Sequence, residues 1–472
     1  MRLVGPKNSR RRAIVVTLAC VLALLVIGDA VPKAILYTLH SRATDLAFAT
    51  RAVDPEARVN PTLLGAAAAG STDADFPAHQ PARVPLEVET QLESERAQAD
   101  PDDPATKNKA TRIDAHRSVR AQDSELARLI DRVFVERAST FPVAFPTSRL
   151  GVELPAADYR QQTGDFVRQG VTYVFPPDTE KRSYPFFDPW LMDFAYLDYR
   201  GKAPADPADP DMSALVFGQR ITGHRLSQTL SALGTPERDA RDALSVTGPA
   251  ADWYTPDELR ARGLKGADQL TLEPFYSVDR EVKVEPQSGR IISISERINI
   301  YLGEPGGPAE CADGTTARPA CGPDEEALAP GGPRAVEKLA AARMADPSAA
   351  DAAGSASRPE SGSAPGSAAD DRGVIIADGR ADSRSPIRTG DDGEATVAAP
   401  EPAHQRIRAE GARTLVAAET SWDQATRAEQ RAAAHQVIRT RQALAVVALL
   451  ARILMVIVVI VGIREFLRRR PA

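Results

Sequence analysis

The sequence predicts a mainly β protein: an antiparallel, β-rich extracytoplasmic domain between an N-terminal and a C-terminal transmembrane helix. Each end of the 472-residue chain carries an apolar run beside a cluster of arginines. Between the ends, over 84–302, apolar residues alternate and are interrupted by Gly, Pro and Asp, the period-2 pattern of half-buried strands. The large rings follow the same division. Of 25 aromatic residues, 14 lie in 134–199 and six in 217–301, while 302–421 contains none. A stretch with no large ring builds little core, which places the folded mass before residue 302.

Residues 1–12 form a basic tail with Arg2, Lys7, Arg10, Arg11 and Arg12. The apolar run 13–28 is short of the about 20 residues that cross the hydrocarbon. Apolar character resumes after Asp29, however, and gives an anchor over 13–39. A cleaved signal peptide is the competing reading, and Gly28-Asp29-Ala30 is a poor cleavage site. At the other end, 443–463 is a 21-residue span broken once, by Arg452, and 464–472 is a second basic tail. The basic clusters place both termini in the cytoplasm, the spans in the plasma membrane and the central region outside it. The tails carry +5 and +3, leaving 13–463 at −14, which excludes nucleic acid as a partner. Asp29 and Arg452 lie five residues apart in depth, so they are expected to form an intramembrane charge pair, because each alone is costly in hydrocarbon.

Residues 40–83 mix Ala, Pro, Asp and Thr and read as a loop or insertion. Strands follow at 84–90 and 131–136, separated by a charged turn at 100–109. The segment GVTYVFPPDTEKRSYPFFDP, 170–189, reads as a strand through Val171, Tyr173 and Phe175, a charged turn, and a stiff aromatic corner. Residues 200–265 look like an insertion, with a short helix started by Thr255 as N-cap and Pro256 in its first turn. The clearest hairpin is 278–301: Val278, Val282 and Val284 share a face, 285–289 turns, and Ile292, Ile294, Ile298 and Ile300 return. Arg280 breaks the inward set and marks an edge or a buried ion pair. Residues 303–412 are a low-complexity tether expected to be disordered. Residues 413–442 supply a strand, then a helix capped at 421–424 that leads into the second span.

Motifs for catalysis, cofactors or metals are lacking. No two of the six histidines lie within five residues, and no GxGxxG, GxxxxGK[ST] or GxSxG occurs. The acid run Asp206, Asp209, Asp211 alternates with Pro and lacks the rest of a calcium loop, so it reads as a solvated linker. Cys20 sits in the first span as a small apolar residue. Cys311 and Cys321, ten apart in a segment placed outside, are expected to form a local disulfide.

A strand ending in Y-x-F-P, followed by T-E-K-R-[ST]-Y-P-[FY]-F-D, resembles the signature of the actinobacterial PorA family. Here it is carried by Thr179, Glu180, Lys181, Arg182, Tyr184, Pro185, Phe186, Phe187 and Asp188. The terminal anchors, the E-P-x-[ST]-G turn at 285–289 and the Trp422 segment before the second span agree with it. The resemblance covers 84–302 and 413–463, and departs in the insertion 200–265 and the tether. It implies a non-enzymatic integral membrane protein of the cell envelope, channel-forming or a scaffold for envelope assembly, without a cofactor. An extracytoplasmic lipid or glycolipid carrier is the alternative, signalled by a wide apolar cavity behind the aromatic corner. Expected partners are the membrane bilayer, an envelope lipid or protein, and a second copy in a homo-oligomer.

Overall fold

The computed structural model describes residues 6–60, 81–100, 102–232, 244–307, 387–389, 395–397 and 413–468, with side chains omitted for 6–13, 41, 387–389 and 395–397. The N-terminal helix has two parts, α1 (Pro6–Leu25) and α2 (Val31–Ser41), joined by a π turn at Val26–Ala30. Pro32 explains the joint: it has no N–H to give to the carbonyl four residues back, so the backbone widens there without breaking. The strands are β1 (Ala47–Val59), β2 (Ala82–Ala97), β3 (Ala110–Ala121), β4 (Ser124–Glu136), β5 (Arg149–Leu154), β6 (Tyr159–Gln162), β7 (Tyr184–Asp188), β8 (Asp193–Asp206) and β9 (Asp209–Arg225). After α3 (Leu226–Ala232) come β10 (Val246–Pro249), α4 (Pro256–Arg262), β11 (Gln269–Glu285), β12 (Arg290–Gly303), β13 (Thr414–Trp422) and α5 (Gln424–Arg468).

Thirteen strands form one antiparallel sheet in the order β6-β5-β4-β3-β2-β1-β13-β12-β11-β9-β8-β7, with β10 added on β11. Two meanders, β1–β6 and β7–β13, therefore meet where β1 pairs with β13, through Ala52↔Trp422 and Val59↔Val416. The sheet curls until its far edges face each other. Phe166 exchanges backbone hydrogen bonds with Ser148 beside β5, at 3.2 and 3.0 Å, and Val171 does the same with Pro185 and Phe187 of β7, at 2.9 and 3.0 Å. Residues 163–171 thus seal the gap as irregular backbone, which makes the sheet a barrel with a seam. The strand expected at 171–175 is this seam: Gly170 at φ 87° and the Pro176-Pro177 pair prevent a regular ladder, though Val171 and Phe175 are buried as a strand would bury them.

Three other expectations change. Residues 40–83 contain β1, a central strand; Pro55 lies in a bulge where its register slips, so its alternation is faint in sequence. The segment 200–265 is no insertion at its start, because β8 and β9 run through 200–225. Helix α5 is capped by Asp423, whose Oδ1 accepts from Thr426 N at 2.8 Å, whereas Ser421 and Trp422 belong to β13. The capping box of α4, Thr255 with Glu258, is present. Cys311 and Cys321 lie outside the described residues, as does the tether apart from residues 303–307 and two three-residue strands that pair with each other.

Ile14–His40 and Gln424–Arg468 are each long and apolar enough to cross a membrane. Because β1 and β13 are neighbours, the helices attached to them leave the barrel side by side. They touch through small residues: a Cβ on Gly28 would lie 2.9 Å from Ala451 Cβ, and one on Gly462 would lie 2.6 Å from Thr17 Cγ2. Asp29 is taken by Lys33, 2.7 Å away on the next turn of its own helix, rather than by Arg452, whose side chain is exposed. A partner four residues along is already in place for any helix, while the Arg452 pairing needs the side chain to turn across the contact. Cys20 lies on the exposed face of the first helix.

Before its apolar run, α5 is bolted to the barrel along two stripes at four-residue spacing. Thr426, Gln430 and Ala434 are buried, and Ala434 and Ile438 pack on Ala205, Met212, Ala214 and Ile292. Arg427 and Arg431 meet Asp206 at 2.8 and 2.6 Å, and His435 meets Asp209 at 2.6 Å. The acid run therefore clasps a helix through the β8–β9 turn instead of floating in solvent.

Candidate functional site: a partitioned barrel interior

Alternation sends one set of side chains from every long strand inward, and the inward sets change character along the barrel axis. Nearest the turns that meet α5 is a small chamber of about 80 Å³ beside Phe48, Leu92, Phe186 and Trp422. At the other end, beneath α3, is a chamber of about 320 Å³ lined chiefly by aliphatic side chains, among them Leu86, Val119, Leu230, Ile298 and Val416. Trp190, from the aromatic corner, forms part of its wall. Arg117, Arg280 and Glu296 border both chambers and form the partition between them.

That partition is a buried ionic cluster. Arg280 donates through Nη2 to Asp188 Oδ2 at 2.8 Å, through Nε to Glu296 Oε1 and through Nη1 to Gln219 Oε1. Asp188 is fully buried and also accepts from the Tyr276 hydroxyl at 3.1 Å and from Trp190 N at 2.8 Å. Arg117 Nη2 stands 3.6 Å from Glu296 Oε2. Burial pushes the Glu296 carboxyl up, but Arg280 and Arg117 outweigh it and hold it below the usual range. Burial raises the Tyr276 hydroxyl well above its ordinary value and lowers His224 to about 4, so the phenol and the imidazole are neutral at pH 7. His224 is therefore a core residue bonded to Thr229.

The sequence motif divides between two jobs. Its first part holds the turn at 285–289, where Thr179 N donates to Pro286 O at 2.8 Å and Phe175 N to Gly289 O at 2.9 Å, while Glu180 N donates within the motif to the Tyr184 hydroxyl at 2.8 Å. Lys181 and Arg182 stay exposed, Arg182 lying 4.8 Å over the Tyr184 ring and 3.0 Å from Glu180. Its second part is core: Tyr184 packs on Phe175 and Phe217, Phe187 on Phe166, and Pro185 pairs with the seam. Phe186 faces the small chamber, and Asp188 ends the motif in the partition. Sequence reasoning missed Glu296, Arg117 and Gln219, which are polar residues at inward positions of strands. Arg280, an arginine in an apolar inward set, was the one visible signal.

Gly289 gives a direct test of the turn. At φ 71° it occupies backbone space that side chains disfavour, and a Cβ there would sit 2.1 Å from Phe175 O. Gly289→Ala is expected to cost about 3 kcal/mol, from left-handed strain plus overpacking. Thermal unfolding of the detergent-solubilised protein measures it, and an unchanged midpoint would mean that the turn stands free of Phe175.

Among the described residues no group of His, Cys, Asp and Glu is arranged to hold a metal ion. Comparison with known proteins then decides the lineage. The profile of the family described as Porin PorA matches residues 13–327, more than half of the chain. The chain belongs to the PorA porin family. A protein named Porin PorA from Corynebacterium amycolatum is 25% identical over 190 residues, 39% of this chain and 46% of that relative. Another of the same name, from Corynebacterium resistens, is 28% identical over 202 residues, 36% of this chain and 46% of its own length. The chain thus spans about half the length of the curated relatives it matches. The PorA match runs from the first apolar helix through β12 and contains both partition acids, the motif and Arg280.

Proposed function

We propose that this PorA-family protein is a non-enzymatic envelope protein that shelters the apolar chain of an envelope lipid in its barrel. Both termini lie in the cytoplasm, and the barrel stands outside the plasma membrane on the two helices. The observation that carries the reading is the aliphatic chamber of about 320 Å³, larger than the chamber across the partition and unfilled where protein interiors normally pack tightly. An apolar chain gains there what it would lose in water, about 0.8 kcal/mol for each buried methylene. Mass spectrometry of lipid extracted from the full-length protein, purified in mild detergent, tests it. Wild-type protein is expected to carry about one lipid per chain. Ala418→Phe with Ala127→Phe, which narrows the chamber, is expected to reduce that at least fivefold while leaving the circular dichroism spectrum intact. Lipid-free wild-type protein would overturn the reading.

The relatives' name supports a second reading, a channel. Among the described residues the partition and the packed core divide the barrel interior, so conduction would run between copies. Stepwise conductance in planar bilayers, with a matching oligomer in detergent, would favour it over the carrier.

A further inference from the structure

A third cavity, of about 410 Å³, lies outside the barrel, between its helix-side rim and the two helices. Its lining is basic: His40, Arg42, Arg96, Arg290 and Arg441 face it, with Asp45 the one acid. Asp45 is already committed, at 2.6 Å, to Arg137. Asp178 faces both Arg441, at 2.7 Å, and His40, at 3.5 Å, and Arg441 also donates to Gln287 O at 2.8 Å. Arg290 reaches a neutral amide, Gln430 Oε1, at 3.2 Å, and burial lowers it from its ordinary value against the pull of Glu429. Arg42 and Arg96 pair with no acid among the described residues.

Position selects the anion. Arg441 is two residues before the apolar run 443–463, and His40 directly follows the end of the other apolar stretch at Leu39. The cavity is therefore at the level of the membrane surface. Leu39, the last residue of the first apolar stretch, supplies apolar wall on the membrane side, and Val437 adds to the lining. Guanidinium forks match phosphate oxygens in pairs, and basic groups next to a bilayer are the usual partners of anionic headgroups. We propose that this cavity binds the phosphodiester headgroup of an anionic membrane lipid whose chains remain in the bilayer. The site stands apart from the barrel chamber and does not depend on what that chamber holds.

Native mass spectrometry of the full-length protein, titrated with phosphatidylglycerol, phosphatidylcholine or inorganic phosphate, tests the proposal. Phosphatidylglycerol is expected to bind at least tenfold more tightly than phosphatidylcholine, and millimolar inorganic phosphate not to displace it. Arg42→Gln with Arg96→Gln should weaken it roughly 30-fold, about fivefold for each charge removed near an anionic surface. Both side chains are exposed, so the midpoint of thermal unfolding should stay in place, and Arg42→Lys with Arg96→Lys, which keeps the charge but not the forks, should restore part of the affinity. Equal retention of the two lipids overturns the proposal, as does a double glutamine variant that binds like wild type. Full displacement by inorganic phosphate overturns it in favour of a free-anion site. The chamber-narrowing pair Ala418→Phe and Ala127→Phe should leave this titration unchanged, which separates the two readings.

Discussion

Arg280→Met is expected to lower stability by about 3–5 kcal/mol, because it leaves two buried carboxylates, Asp188 and Glu296, without their shared cation. Methionine fills similar space, so the loss is electrostatic and carries a pH signature. In the wild type Glu296 lies below the ordinary carboxylate range. Its contribution is present above its unfolded value, about 4.3, and is lost as pH falls through the still lower folded value. In the variant burial prevails at Glu296, and its folded carboxyl holds a proton that the unfolded chain has released. Variant stability should therefore fall more steeply than that of the wild type as pH rises from about 5 to 8, a window in which Asp193, pushed up to about 7 by burial, already gives both proteins a common slope. Denaturant unfolding across that range measures both slopes. Parallel curves would show that Asp188 and Glu296 are not ionised partners of Arg280.

Arg168→Met should cost a similar about 3–5 kcal/mol and should open the barrel at one place. Arg168 lies in the seam, buried, with Nη1 at 2.6 and 2.7 Å from the two Asp131 oxygens and Nη2 at 2.6 Å from Thr172 Oγ1. Its guanidinium carbon is 3.8 Å from the centre of the Phe187 ring, which ties β4 to β7 across the gap. Hydrogen exchange should accelerate first at Phe166 and Val171, whose amides make the seam's bonds, ahead of the ladder between β11 and β12. Asp131→Asn added to Arg168→Met should recover part of the loss, since it removes the stranded charge. Uniform acceleration over the whole sheet would mean that the seam is not a separate weak line.

Much of this architecture was legible because the signals were local. Both apolar spans, the 278–301 hairpin, the Thr255 N-cap of α4 and the β2 alternation each depend on residues adjacent in sequence, and each is present. What escaped depended on distant partners. β1 is rich in Ala and carries Pro55, so only its position between β2 and β13 makes it a strand. The β8–β9 turn resembles a linker until Arg427 and Arg431 arrive from more than two hundred residues away. Asp29 illustrates the opposite error: a long-range partner was inferred where Lys33, one turn on, suffices. The partition was half visible, since a strand pattern shows a polar residue turned inward but not which strands meet it there.

The pairing of β1 with β13 also has a consequence for biosynthesis. Ala52 cannot find Trp422 until nearly the whole chain has left the ribosome. Until then the first meander and the strands through β12 each present an unpaired ladder edge, a template for pairing with other chains. The long segment between β12 and β13 adds little to this difficulty at equilibrium, since each doubling of a loop costs only about 0.6 kcal/mol, but it lengthens the wait. A nascent chain with the β12 edge open is thus the most vulnerable species in this protein's life. A stop codon anywhere between 304 and 413 should yield a fragment cleared by proteases, not a shortened but working barrel.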